Sequence, residues 1–181
     1  MKAKIILVPI GSVSPDLLTW LADRLGEIFG EGVGIGETIP LPAAGYDPRR
    51  RQYRGDVIIA ALRARLDPVV ERVLGLTDVD CYAPGLNFIF GQATLDGRVA
   101  FVALPRLRQS FYDLLEDPAL FRRRVLTEAV HELGHTWGLT HCPKPHCVMH
   151  FSNTLADTDV KGATFCPRCQ VQLNKARKAE Q

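Results

Sequence analysis

With 181 residues and a formal net charge of +2, the chain is sized for one domain with a proper core and is too nearly neutral to imply a polyanionic partner. Its apolar share of 46% and charged share of 23% are those of an ordinary globular protein. No apolar run approaches the roughly 20 residues that a membrane span needs, so no membrane partner is expected.

The start, Met1-Lys2-Ala3-Lys4 followed by the apolar run Ile5 to Ile10, imitates a signal peptide. Pro9 and Gly11 interrupt that run and no small-residue cleavage site follows, so a buried strand over Lys4 to Val8 is the better reading. Ser14-Pro15-Asp16 carries helix-start chemistry, and Leu17, Leu18, Leu21, Leu25 and Ile28 recur at helical spacing as far as Gly30. Val33 to Leu41 reads as a second strand, Pro40 to Arg54 as a surface connection, and Asp56 to Leu66 as a second helix. Val73 to Val79 and Asn87 to Phe90 are further strand candidates. Asp96-Gly97 predicts a hairpin between the Asn87–Ala93 region and Arg98 to Leu104.

The second half opens with a helical stretch around Gln109 to Glu116. Asp117-Pro118 then caps and starts a long helix, whose buried stripe is Phe121, Val125, Val130, Leu133 and Trp137 and whose end is Gly138. Beyond Gly138 the pattern shows little helical periodicity, and Lys175 to Gln181 reads as a polar, frayed tail. The sum is an α+β chain with a mixed sheet of about five strands and helices alongside.

Near the end of the long helix stands His131-Glu132-Leu133-Gly134-His135-Thr136-Trp137-Gly138-Leu139-Thr140-His141. On a helix His131 and His135 lie one turn apart on one face, where both imidazoles reach one cation. Glu132 sits about 100° around the helix, poorly placed as a ligand beside them but able to hydrogen-bond a water at the metal. Gly138 lets the chain turn away so that His141 returns to the metal. Three neutral imidazoles leave a fourth position open, the pattern of a catalytic rather than a structural zinc. The bland alternative makes these histidines ordinary core or surface residues. A metal site without activity is a further reading.

Cys142, Cys147, Cys166 and Cys169 crowd the last quarter of the chain, while Cys81 stands alone. Four thiolates make a closed tetrahedral zinc site that staples the C-terminal part, with an iron site or two disulfides as alternatives. Two close pairs without an export signal suggest a reducing, cytoplasmic setting. His146 and His150 are expected in solvent, Cys81 as a small buried hydrophobe. Arg49-Arg50-Arg51 and Arg122-Arg123-Arg124 raise a competing class, a zinc-stabilised module that binds peptide or nucleic acid without cutting. Three successive arginines on a helix fan over about 200°, so a solvated face is the preferred reading and nucleic acid is not the expected partner.

The histidine motif resembles that of the metzincin zinc peptidases. Its continuation, Cys142-x₄-Cys147-x-Met149 with Cys166-x-x-Cys169, is similar to the archaemetzincins. Softer similarity extends upstream through Gln52-Tyr53, Leu76-Thr77-Asp78-Val79-Asp80 and Asn87-Phe88-Ile89-Phe90-Gly91. The resemblance implies a metzincin-like fold: an N-terminal catalytic lobe over residues 1–138, and a C-terminal lobe over 139–181 with the third zinc ligand, a Met-turn and the four-cysteine zinc. It would place Met149 beneath the three imidazoles, and would make Asn87 to Gly91 an edge strand along which an extended peptide substrate pairs. No metal-bound tyrosine follows the methionine, because His150-Phe151 stands there. The function expected is zinc-dependent peptide hydrolysis, in which a water activated at the metal attacks the scissile carbonyl with Glu132 as general base. Two zinc ions per chain are expected, and the catalytic one can be partly empty after purification.

Overall fold

The computed structural model describes residues 4–66 and 70–180; Met1 to Ala3 of the leader-like start and Gln181 of the tail lie outside the described residues. Strand β1 (Ile5–Ile10) is followed by helix α1 (Pro15–Phe29) and the short strand β2 (Val33–Ile35). Two small strands, β3 (Tyr46–Asp47) and β4 (Gln52–Arg54), precede helix α2 (Gly55–Arg63). Then come β5 (Arg72–Thr77), β6 (Cys81–Tyr82), β7 (Gly91–Ala93) and β8 (Val99–Ala103), and helices α3 (Pro118–Thr136), α4 (Leu155–Lys161) and α5 (Pro167–Ala179).

The main sheet has five strands in the order β2-β1-β5-β8-β7, all parallel except the antiparallel edge strand β7. A second sheet, β3-β4-β6, has three. β5 and β8 are buried at every residue, as central parallel strands covered on both faces must be. On one face α1 and α3 enclose Leu7, Leu74, Val102 and Val130; on the other α2 encloses Val73, Val99 and Phe101. The architecture is therefore the expected α+β arrangement.

Helices α1 and α3 begin alike. In each a side-chain oxygen, of Ser14 or Asp117, accepts the backbone N–H three residues on, and proline occupies the first helical position. α3 has 19 residues, or roughly 28 Å, and crosses the domain under the sheet.

Several local expectations are corrected. The strand expected over Val33 to Leu41 ladders only at Val33–Ile35, and Gln109–Tyr112 is a 3₁₀ turn ended by a left-handed Asp113 rather than a helix to Glu116. Asn87 to Phe90 is not a ladder strand; the edge strand begins at Gly91, and Ile89 makes an isolated bridge to Cys81. The region after Gly138 contains α4 and α5. The tail is helical to Ala179, and Glu180 is fastened to Arg72 at 2.5 Å and to the Trp137 indole N–H at 3.2 Å. Among the described residues no helix is long and apolar enough to cross a membrane.

Candidate active site

The last turns of α3 carry His131, Glu132 and His135. His131 Nδ1 lies 2.7 Å from the Val148 carbonyl oxygen, and His135 Nδ1 lies 2.6 Å from that of Leu139. A carbonyl only accepts, so each Nδ1 must carry the ring proton and donate it. Burial, first among the causes, pushes the pKa of both rings below the usual value of 6.5, which leaves them neutral. Their Nε2 atoms are then bare lone pairs, yet they stand 3.1 Å apart. Two acceptors in contact repel unless a cation lies between them. Zinc–nitrogen bonds of about 2.0–2.1 Å at the tetrahedral angle would set them roughly 3.3 Å apart, so the donor pair fits zinc.

Gly138 takes φ +78°, the left-handed conformation that turns the chain off the helix. The chain then brings the His141 ring to 5.4 Å from that of His131 and 4.9 Å from that of His135, centroid to centroid. One ligand atom from each of the three lies within 4.8 Å of the others. Met149 is buried beneath α3: a Cβ added to Gly134 would meet its Sδ at 2.5 Å. Glu132 is equally close-fitted, because a Cβ on Gly91 would lie 2.8 Å from its Oε1. Burial pushes the Glu132 carboxyl well above the ordinary range; neighbouring Glu128 adds to this and Lys161 opposes it.

Two adjoining cavities, of about 200 and 390 Å³, form one cleft over these residues. Both are lined by Leu86, Ile89, Gly91, His131, Glu132 and Phe151. The smaller continues towards Glu128 and Ser152, the larger towards Gln92, His135 and His141.

The four late cysteines form the second cluster, with all Sγ atoms within 4.8 Å of one another. Cys142 and Cys166 are 3.9 Å apart, near the roughly 3.8 Å edge of a zinc–thiolate tetrahedron and far beyond a disulfide. All are free thiols, so the disulfide alternative is not formed. The Cys166 thiol is brought down to about 6, chiefly by the Cys169 backbone N–H, which favours a thiolate ligand. His146 and His150 belong to neither cluster; His150 instead holds the Cys142 carbonyl at 2.8 Å. Cys81 is buried, its thiol 3.4 Å from the Val79 carbonyl.

The profile of peptidase family M54 matches residues 51–175, more than half of the chain. Archaemetzincin of Pyrococcus furiosus is 44% identical over 181 aligned residues, covering 97% of this chain and 94% of its own. The chain belongs to the archaemetzincins, peptidase family M54. Two solved structures agree. Archaemetzincin from Methanopyrus kandleri superposes with a TM-score of 0.86 at 40% identity, covering 97% of this chain and 96% of that one. That from Archaeoglobus fulgidus, complexed with malonate, gives 0.80 at 37%, covering 93% and 99%. The protein is accordingly a zinc metallopeptidase whose substrates are peptides.

In this archaemetzincin the cleft rim is held by residues that motif reading passed over. Arg106 grips the Asp80 carboxylate with two bonds of 2.7 and 2.8 Å, and Gln52 Nε2 donates to Asp80 and to the Asn87 carbonyl, each at 3.0 Å. Arg50 reaches the Leu86 and Asn87 carbonyls at 3.1 and 3.0 Å. The only sequence hint was that Gln52, Asp80 and Asn87 fall in the softer matching segments. A second network was not visible at all: Lys161, fully buried, pairs with Glu128 at 3.1 Å behind Glu132. The basic clusters are partly spent internally. Arg124 is 6% exposed and doubly bonded to Asp159, and Arg122 lies over Trp20.

Proposed function

We propose that His131, His135 and His141 hold a catalytic zinc, that Glu132 is the general base, and that Cys142, Cys147, Cys166 and Cys169 hold a second, structural zinc. The observation that carries this reading is the pair of unprotonated Nε2 atoms at 3.1 Å, both of whose Nδ1 protons are committed elsewhere. Zinc on three imidazoles supplies Lewis acidity at the scissile carbonyl and lowers the pKa of the attacking water towards about 7.

The chain's own groups do the rest. His131 and His135 present Nε2 because the Val148 and Leu139 carbonyls fix their tautomers. Glu132 accepts a proton from the attacking water and returns it to the amine nitrogen as the C–N bond breaks. Its burial favours holding that proton in between. Met149 packs as the floor of the histidine turn.

The substrate lies extended along the free edge of β7. Phe90 O and Thr94 N bond inward to β8 at 2.8 and 2.9 Å, so by antiparallel alternation the N–H and C=O of Gly91 and Ala93 face outward. The peptide site thus starts at the end of the Asn87 to Gly91 segment and runs on to Ala93.

The chain divides at Gly138 into an N-terminal catalytic lobe and a C-terminal lobe of residues 139–181. Free thiols in a four-cysteine site fit the cytoplasm. The three-histidine site, open at one corner, releases zinc more readily than the thiolate cage and is the one expected to be partly empty.

Glu132→Ala tests the assignment of the base. Turnover of a peptide library should fall by about 10²-fold or more with zinc content unchanged; comparable turnover would remove Glu132 from that role.

A further inference from the structure

Beside Glu132 the smaller cavity ends in groups that amide hydrolysis does not use. Glu128, one turn earlier on α3, is 2% exposed and lines this cavity. Its Oε1 accepts from Thr158 Oγ1 at 2.8 Å and forms an ion pair with the Lys161 ammonium at 3.1 Å. Oε2 takes no hydrogen bond from any described residue. The Lys161 side chain has no exposure, and its ammonium also reaches the His150 carbonyl at 3.3 Å. In the cavity wall the Ser152 hydroxyl is buried without a partner. Leu86, Phe88, Ile89, Phe90 and Phe151 give the cavity apolar walls, and Asn87 and Asn153 add polar groups to its lining. A volume of about 200 Å³ is several times the roughly 30 Å³ of one water, enough for one side chain.

We propose that this cavity is a specificity pocket for a substrate side chain ending in a primary carboxamide, glutamine or asparagine, read by Glu128 and Ser152. The inference rests on the peptide-hydrolase reading of the histidine centre. Charge excludes the other side-chain classes. Lys161 already cancels the Glu128 carboxylate, so an entering cation meets an ammonium and a metal centre with no net negative charge to offset them. An entering carboxylate has no hydrogen to donate to Oε2, so two acceptors would be brought together. A purely apolar end leaves Oε2 and the Ser152 hydroxyl desolvated and unbonded. A carboxamide satisfies both: its NH₂ donates to Oε2, and its oxygen accepts from Ser152 after rotation about that residue's single side-chain torsion.

The test is calorimetric binding to the zinc-loaded protein of four succinyl hydroxamates that differ in one side chain: carboxamidoethyl, n-butyl, aminobutyl and carboxyethyl. The carboxamide should bind tightest, roughly tenfold or more over n-butyl, as one or two hydrogen bonds would give. In the double variant Glu128→Leu/Lys161→Met, which removes both buried charges together, n-butyl should become the tightest. Should that variant not fold, Ser152→Ala carries the test, with a severalfold loss of the carboxamide preference expected and an unchanged preference overturning the proposal. Equal binding of all four, or a preference for n-butyl, aminobutyl or carboxyethyl in the wild type, overturns the pocket assignment alone. Binding of none overturns the metal-centre reading and the pocket with it.

Discussion

Two glycines show how tightly single residues are fitted around the reaction centre. At Gly134 alanine would gain about 1 kcal/mol in helix propensity, but its Cβ would press on the buried Met149 Sδ at 2.5 Å. Overpacking of that kind costs about 1–3 kcal/mol, so Gly134→Ala should lower Tm by a few degrees in calorimetry and weaken zinc retention at the histidines. An unchanged Tm would mean that the methionine yields freely. Gly91→Ala places a methyl 2.8 Å from Glu132 Oε1 and 2.6 Å from the Phe101 carbonyl. It should reduce kcat with zinc content intact; full activity would deny that the carboxylate is held there.

The convergence of His131, His135 and His141 was legible in the sequence because it follows from spacing along one helix and one turn. Glu128 and Lys161 were not, since 33 positions separate them and only the packing of α4 on α3 brings them together.

At the scale of elements, the loop between β6 and β7 forms the cleft rim, and side chains rather than a ladder hold it. Arg106 matters twice: it grips Asp80 and lies over Phe88 and Phe111 at 4.4 and 4.7 Å. Arg106→Lys keeps the charge but loses the planar fork and the stacking. It should raise KM for peptides more than it changes kcat, and an unaltered KM would show that the rim positions itself.

The long helices α1 and α3 could be read because a cap, a proline and an apolar stripe all agree in each. α5 could not: only Cys169 and Leu173 are buried along it, too few for a helical stripe, although Cys166-Pro167 supplies a start. The 3₁₀ turn at Gln109–Tyr112 shows the converse, a helix-like pattern cut short when Asp113 turns left-handed. Asn87 to Phe90 has strand composition, but Arg50 and Gln52 take the Asn87 carbonyl that a ladder would need.

Across the whole molecule the two candidate metal-binding clusters share one piece of backbone. Cys142 N donates to the Met149 carbonyl at 2.8 Å, His150 N to that of Cys147 at 2.8 Å, and the intervening Val148 carbonyl orients His131 at 2.7 Å. A metal on the proposed thiolate site would therefore hold the turn that aims an imidazole. Cys166→Ser should lower zinc affinity at the histidines by about tenfold or more, the usual effect of losing an orienting partner, as measured by competition with a chelator. By linkage, whatever factor a filled thiolate site adds to affinity at the histidines, a filled histidine site adds to affinity at the thiolates. Independent affinities would show that the shared turn is rigid without its metal.

The convergence of His131, His135 and His141 on one cation is tested most directly by counting metal in freshly loaded wild type and in His135→Ala. We expect two zincs per chain in the wild type and one in the variant, the latter held by the cysteines. Equal zinc in both proteins would contradict it.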